Sequence, residues 1–156
     1  MNRILILLLC LGTLAGCKKS LNYNYAFNVN GTPCQGNNYT AIYQYDTAAS
    51  LWELAANFYI NSSIDTNYVQ ISFSGNNYIT PGTYYTGAVY GGNTMCSFAY
   101  NKRHTYYSAV AGIIQILQAD TIEHVLKGSF QFTAANLGDT ITISNGAFAG
   151  INYVIQ

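Results

Sequence analysis

Charge is what this sequence has least of. Only 8% of its 156 residues are Asp, Glu, Lys or Arg, against the ~25% usual in soluble domains. Six cations cancel six acids, so the net charge is zero. That argues against a nucleic-acid binder, which needs a basic surface to displace counterions from phosphates. Proline is scarce as well, at 2 residues beside 14 Gly, so the chain is not a low-complexity linker. Disorder is excluded from the other side: disordered tails are charged and poor in aromatics, and this chain holds 15 Tyr and 7 Phe. No stretch repeats apolar residues at helical spacing. With 156 residues, half of them hydrophobic, the chain suits one domain with a sizeable core.

The N-terminus reads as an address. Arg3 supplies a positive start, and Ile4 to Leu11 form an apolar run of eight residues. A spanning helix needs ~20, so a membrane anchor of that kind is excluded for this run. Leu14-Ala15-Gly16-Cys17 follows, with the character of a bacterial lipobox. The thiol of Cys17 is the nucleophile that accepts a diacylglyceryl group, and Ala15 and Gly16 are small enough for a peptidase to close around the bond before it. We therefore expect residues 1–16 to be a lipoprotein signal peptide, 17–25 a lipidated tether, and 26–156 the folded domain. Stable anchoring takes two or more lipid chains, and acylation of the new amino group on Cys17 supplies them. Lys18-Lys19-Ser20 lacks the acidic residues that often accompany surface export, which favours the periplasmic face of an outer membrane.

Beyond the tether, apolar residues alternate with polar ones at the period of a strand. The runs are Tyr25–Val29, Tyr39–Tyr45, Trp52–Ile60, Val69–Phe73, Tyr84–Val89, Met95–Tyr100, Gly112–Ala119, Leu126–Ala134, Ile141–Ser144 and Phe148–Ile155. Turn residues punctuate them at Asn30-Gly31-Thr32-Pro33, Asn76-Asn77, Pro81-Gly82, Gly91-Gly92-Asn93 and Asn136–Asp139. Asn145-Gly146 adds a hairpin signal. The expected fold is all-β: one antiparallel β-sandwich or partly open barrel of nine or ten short strands. Trp52, Phe58, Phe130 and Phe132 are expected on the inward faces.

Three stretches carry a resemblance: Phe27-Asn28-Val29-Asn30-Gly31-Thr32-Pro33, Gly128-Ser129-Phe130-Gln131-Phe132-Thr133-Ala134, and Ile141-Thr142-Ile143-Ser144-Asn145-Gly146-Ala147-Phe148. They resemble a family of small Bacteroidota lipoproteins defined only as a domain of unknown function. The resemblance covers nearly the whole mature chain. It implies a lipobox, an all-β domain and no established activity. One position departs: a large apolar residue, often Trp, is usual where this chain has Cys34.

Of the four cysteines, Cys10 leaves with the signal peptide and Cys17 carries lipid. Cys34 and Cys96 remain, in an exported protein that matures under oxidising conditions, and they are expected to form a disulfide. The family departure at Cys34 fits that pairing, since a crosslink offsets the packing lost with the larger residue.

Chemistry-bearing constellations are thin. Only His104 and His124 are available for nucleophilic catalysis. His104 follows Lys102-Arg103 in an expected loop, and no Gly-x-Ser-x-Gly elbow is present. Asp120, Glu123 and His124 share a strand connection, where a turn explains them better than an acid–base or metal site. Of the six acids, Glu53 alone sits mid-strand, opposite Trp52 and Leu54, while Asp46, Asp65, Asp120, Glu123 and Asp139 mostly mark turns. No metal site and no cofactor is expected. Six Asn-Tyr pairs suit a glycan- or protein-binding surface, because rings stack while amides hydrogen-bond; β-structure with Asn at turns explains them more simply.

The sequence thus points to a monomeric, non-enzymatic lipoprotein held on the outer membrane, with a binding or envelope-structural role. Its rivals are a glycan-binding accessory lipoprotein using surface Tyr and Asn, and a small hydrolase built on Glu53 or on Asp120, Glu123 and His124.

Overall fold

The computed structural model describes residues 23–60, 67–86, 89–90 and 94–156. The expected signal peptide, Cys17, the tether up to residue 22, Asp65 and the turn at 91–93 lie outside them. Among the described residues every regular element is a strand: β1 (Tyr25–Val29), β2 (Thr32–Gly36), β3 (Tyr39–Asp46), β4 (Leu51–Tyr59), β5 (Asn67–Gly75), β6 (Gly82–Tyr85), β7 (Val89–Tyr90), β8 (Thr94–Lys102), β9 (Thr105–Asp120), β10 (Val125–Asn136), β11 (Asp139–Asn152) and β12 (Val154–Ile155). They form one sheet in the order β12-β3-β4-β5-β8-β9-β10-β11-β1-β2, with β6 also paired to β9 and β7 to β8. Neighbours are antiparallel except β12, which runs parallel to β3. The sheet curls into a half-barrel, the partly open barrel of the two architectures the alternation allowed.

Curling is driven by the long strands. Where Thr133 and Ala134 of β10 pass to β9, and again at Lys127 and Gly128, the register slips by one residue, leaving Val110 and Leu117 as extra residues. Both are bulges, and both side chains are exposed, at 66% and 52%. Two further slips set extra residues into β11 around Asn145 and Gly150, whose φ values of 53° and 66° are left-handed. Each bulge bends its strand and raises the twist, which is how β9 to β11 wrap around a core. The expected hairpin at Asn145-Gly146 is therefore a bulge inside one continuous strand. Asn supplies the left-handed conformation in either setting, so the dipeptide alone did not separate them. Likewise Thr32-Pro33, expected within a turn, opens β2; only Asn30-Gly31 turns.

The core lies on the concave side. Phe58 of β4 stacks on Phe130 of β10 at 5.9 Å, and Phe148 of β11 lies 5.7 Å from Phe58. These strands are remote in the sheet order, so contact between their rings means that opposite walls meet and the interior is filled. Phe58, Phe130 and Phe132 are buried as expected; Trp52 is only half-buried. The seam is stitched at the start of β3. The Tyr25 hydroxyl lies against the carbonyls of Asn38 and Tyr59, and the Asn152 amide donates to the Tyr39 hydroxyl at 3.1 Å.

Candidate functional site

One end of the half-barrel is closed by aromatic rings. Tyr43 and Tyr45 of β3 pair with Leu54 and Trp52 of β4, and all four belong to the inward-facing set. Toward the β3–β4 turn the walls end, so the same alternation that buries Tyr43 leaves Tyr45 45% exposed and Trp52 half-exposed. The segment between β5 and β6 lays Tyr78 over this group, 4.6 Å from Trp52 and 5.0 Å from Tyr43. It is held there by the buried Ile79, whose amide donates to the Tyr43 hydroxyl at 3.2 Å. Tyr153, between β11 and β12, closes the floor edge-on to Tyr43 at 5.6 Å. His124 lies against Tyr153 at 5.3 Å.

The result is an aromatic mouth: Tyr43 and Tyr153 buried beneath, Tyr45, Trp52 and Tyr78 facing out. Such rings give a large contact area at low entropy cost, and barrel mouths are a preferred place for ligands. Burial first, and then the neighbouring tyrosines, push the Tyr43 hydroxyl up to about 12. Because the folded value lies above the unfolded ~10, this contribution to stability is complete below pH ~10 and lost as pH rises toward 12. An alkaline titration followed by tyrosinate absorbance should show Tyr43 ionising together with unfolding; normal ionisation in the folded protein would refute its burial.

The acids named from sequence are not gathered here. Glu53 points to the other face of β4, where Gln44 Nε2 donates to its carboxylate at 3.2 Å, beside a shallow recess of about 270 Å³ lined by Ser72, Ser74 and Ser97. Asp120 accepts the backbone amides of Ile122 and Glu123, both at 2.9 Å, capping the β9–β10 turn. Those two hydrogen bonds, with a smaller contribution from His124, hold its carboxyl below the usual range. Glu123 is exposed, and His124 takes a left-handed φ of 54° as a turn residue. Asp46 likewise accepts the turn amides of Ala48 and Ala49, and Asp139, at the start of β11, accepts the amide of Thr140 and the Tyr107 hydroxyl at 2.8 Å. His104, with Arg103, has positive φ in the tight β8–β9 turn, the geometry of a two-residue hairpin loop. Among the described residues no three potential metal ligands lie together.

The expected Cys34–Cys96 disulfide is not formed: both are free thiols. Register is the reason. Cys96 pairs with Phe73 of β5, whereas Cys34 sits on the edge strand β2 opposite Phe27 of β1. β2 ends the sheet and β8 lies in its middle, so the ladder never sets the two thiols side by side, as a bond with Cα atoms within ~7 Å requires. Elimination among the cysteines left a pair, but not one that the fold brings together. Burial pushes the Cys96 thiol up to about 12 and raises the half-buried Cys34 less. Maleimide labelling of the native protein should therefore reach Cys34 slowly and Cys96 only on unfolding; protection of both that reductant removes would restore the bond.

Sequence reasoning named Tyr with Asn as the unusual feature but not this grouping. Three of the six Asn-Tyr pairs serve the fold: Tyr25 and Tyr153 are buried, and Tyr39 stitches the seam. Tyr153 also floors the mouth, and Tyr78 is the member of these pairs displayed there. The available signal was Tyr45 and Trp52 flanking the Asp46–Leu51 turn, since a hairpin there pairs them.

A protein family described as "Domain of unknown function (DUF6252)" matches residues 30–152. Comparison with curated proteins and with solved structures finds no match.

Proposed function

The chain belongs to the DUF6252 family, and from that premise we propose that it is a lipid-anchored, non-catalytic binding protein of the bacterial cell envelope. It is a monomer held on the outer membrane through Cys17, on the periplasmic face. The observation that carries the binding role is the aromatic mouth, with Tyr45, Trp52 and Tyr78 displayed over a buried tyrosine floor. Large rings half-exposed in one cluster are what binding hot spots are made of. The engagement of Asp46 and Asp120 as turn acceptors, and of Asp139 by the Tyr107 hydroxyl, supports a scaffold role for these acids.

Trp52 is the only tryptophan in the chain, so its emission reports on the mouth. We expect a saturable change when the protein is titrated with soluble oligosaccharides or short peptides released from cell envelopes, and we expect Tyr78→Ala to abolish it. An emission indifferent to both would make the mouth a core plug and end the binding reading. Anchoring is tested separately. Cys17→Ser removes the acyl acceptor, so the precursor should stay uncleaved or appear soluble; a processed form that still sediments with membranes would overturn lipidation.

A further inference from the structure

The outer face of the sheet, away from the mouth, carries a trough defined by register. Tyr85 of β6 stands opposite Ile113 of β9, which stands opposite Gln131 of β10. Two residues along on one side, Thr83, Gln115 and Ser129 form a parallel row. On the other side Thr133 lies between Ala111 and Thr142. Cross-strand partners share a face, so the rows form a grid, with rows ~7 Å apart and strands ~4.8 Å apart. Two adjoining cavities of about 550 Å³ and 470 Å³ lie over this grid, and Tyr85, Ile113 and Gln131 line both. Each falls within the ~300–1,000 Å³ of ordinary ligand sites.

The lining decides the ligand class. No residue around either cavity is charged. An acidic polymer, a phosphate or a lipid head group would meet no cation here. A protein interface would want a core of aromatic and Arg anchors; Phe130 and Phe132 also border the trough, but both are buried in the core, which leaves Tyr85 as its exposed ring, with Ile113 beside it. What it does offer is a set of neutral hydroxyls and amides, each able to donate and accept, around a ring that is 52% exposed. That combination suits a ligand with apolar C–H faces and many uncharged hydroxyls. We propose that this trough binds an uncharged saccharide chain, with a sugar ring on Tyr85 and its hydroxyls on Gln131, Thr133 and Gln115. Continuity between the two cavities gives room for more than one sugar unit. The site is distinct from the aromatic mouth and does not depend on it.

Affinity electrophoresis tests the assignment. The processed lipoprotein, in non-ionic detergent, is run through native gels containing a β-1,3-glucan, a galactomannan, dextran or alginate. At least one neutral polymer should retard it, and acidic alginate should not. Tyr85→Ala and Gln131→Ala should each weaken that retardation by roughly tenfold, the worth of ~1.4 kcal/mol, with both variants still folded by circular dichroism at the gel temperature. Gln44→Ala, exposed on β3 and outside the lining of either cavity, should leave retardation intact. Failure of every neutral polymer to retard the protein overturns the proposal. So does retardation that survives Tyr85→Ala and Gln131→Ala, or that is lost in Trp52→Ala instead; the last result places the saccharide in the mouth and leaves the binding function standing.

Discussion

Phe130→Ala is expected to lower the stability of the fold by about 3–5 kcal/mol, the largest loss of any single truncation in this core. Its ring is 4% exposed and is the common neighbour of the aromatic cluster. It lies 5.9 Å from Phe27 of β1, 5.9 Å from Phe58 of β4 and 6.2 Å from Phe148 of β11. Rings from three other strands, on both opposite walls of the half-barrel, therefore converge on one side chain. Removing it forfeits the transfer energy of the ring and leaves a cavity that β-strands, tied into ladders on both sides, collapse around poorly. The expected result is a urea midpoint shifted far down with little change in slope. Since a domain holds only ~5–15 kcal/mol in total, partial unfolding at 37 °C is part of the expectation. A loss under ~1 kcal/mol would mean that opposite walls do not meet at Phe130, and the curled architecture would fail with it.

The alternation that placed Phe130 inward was legible because burial on one side of a sheet forces period two on the sequence. Leu54, Ala56 and Phe58, or Ile141 and Ile143, declare their face without help from partners. Bulges do not declare themselves this way. Val110 and Leu117 read as ordinary apolar strand residues, yet they are the extra residues that let β9 bend. The expected strand begins at Gly112, whereas β9 begins at Thr105; the slip at Val110 breaks the alternation between the two parts. Pairing between remote segments was equally hidden, because register with a distant strand is a property of two sequences at once. That is why Cys34 and Cys96 looked like partners and are not. The acids were easier: an Asp followed by small or polar residues caps a turn through its own backbone neighbours, as Asp46 and Asp120 do. The mouth needed Tyr78 from one segment and Tyr45 and Trp52 from another, so only half of it was visible as a hairpin.

Gly128→Ala and Gly146→Ala should be destabilising by about 1–3 kcal/mol each, although replacing Gly in a strand ordinarily gains some stability by restricting the unfolded chain. The reversal comes from reciprocal packing between β10 and β11. Gly128 pairs with Phe148, and Gly146 pairs with Phe130, so each ring covers the backbone of the glycine opposite. A Cβ on Gly128 would stand 2.4 Å from the Gln115 carbonyl oxygen and 2.7 Å from the Phe148 ring. On Gly146 it would stand 2.5 Å from the Phe130 carbonyl oxygen and 2.7 Å from the Phe130 ring. A ring can swing aside, but a carbonyl held in a ladder cannot move without spoiling its hydrogen bonds. The double variant Gly128→Ala with Phe148→Leu separates the two contacts, since it relieves the ring and leaves the Gln115 carbonyl in place. We expect it to recover little of the loss, and thermal melts of the two single variants, Gly128→Ala and Phe148→Leu, and the double give the coupling directly. Should Gly128→Ala instead melt at or above the parent temperature, the close approach of β9 to β10 at this position is not real, and the cross-strand pairing of Gly128 with Phe148 loses its physical basis.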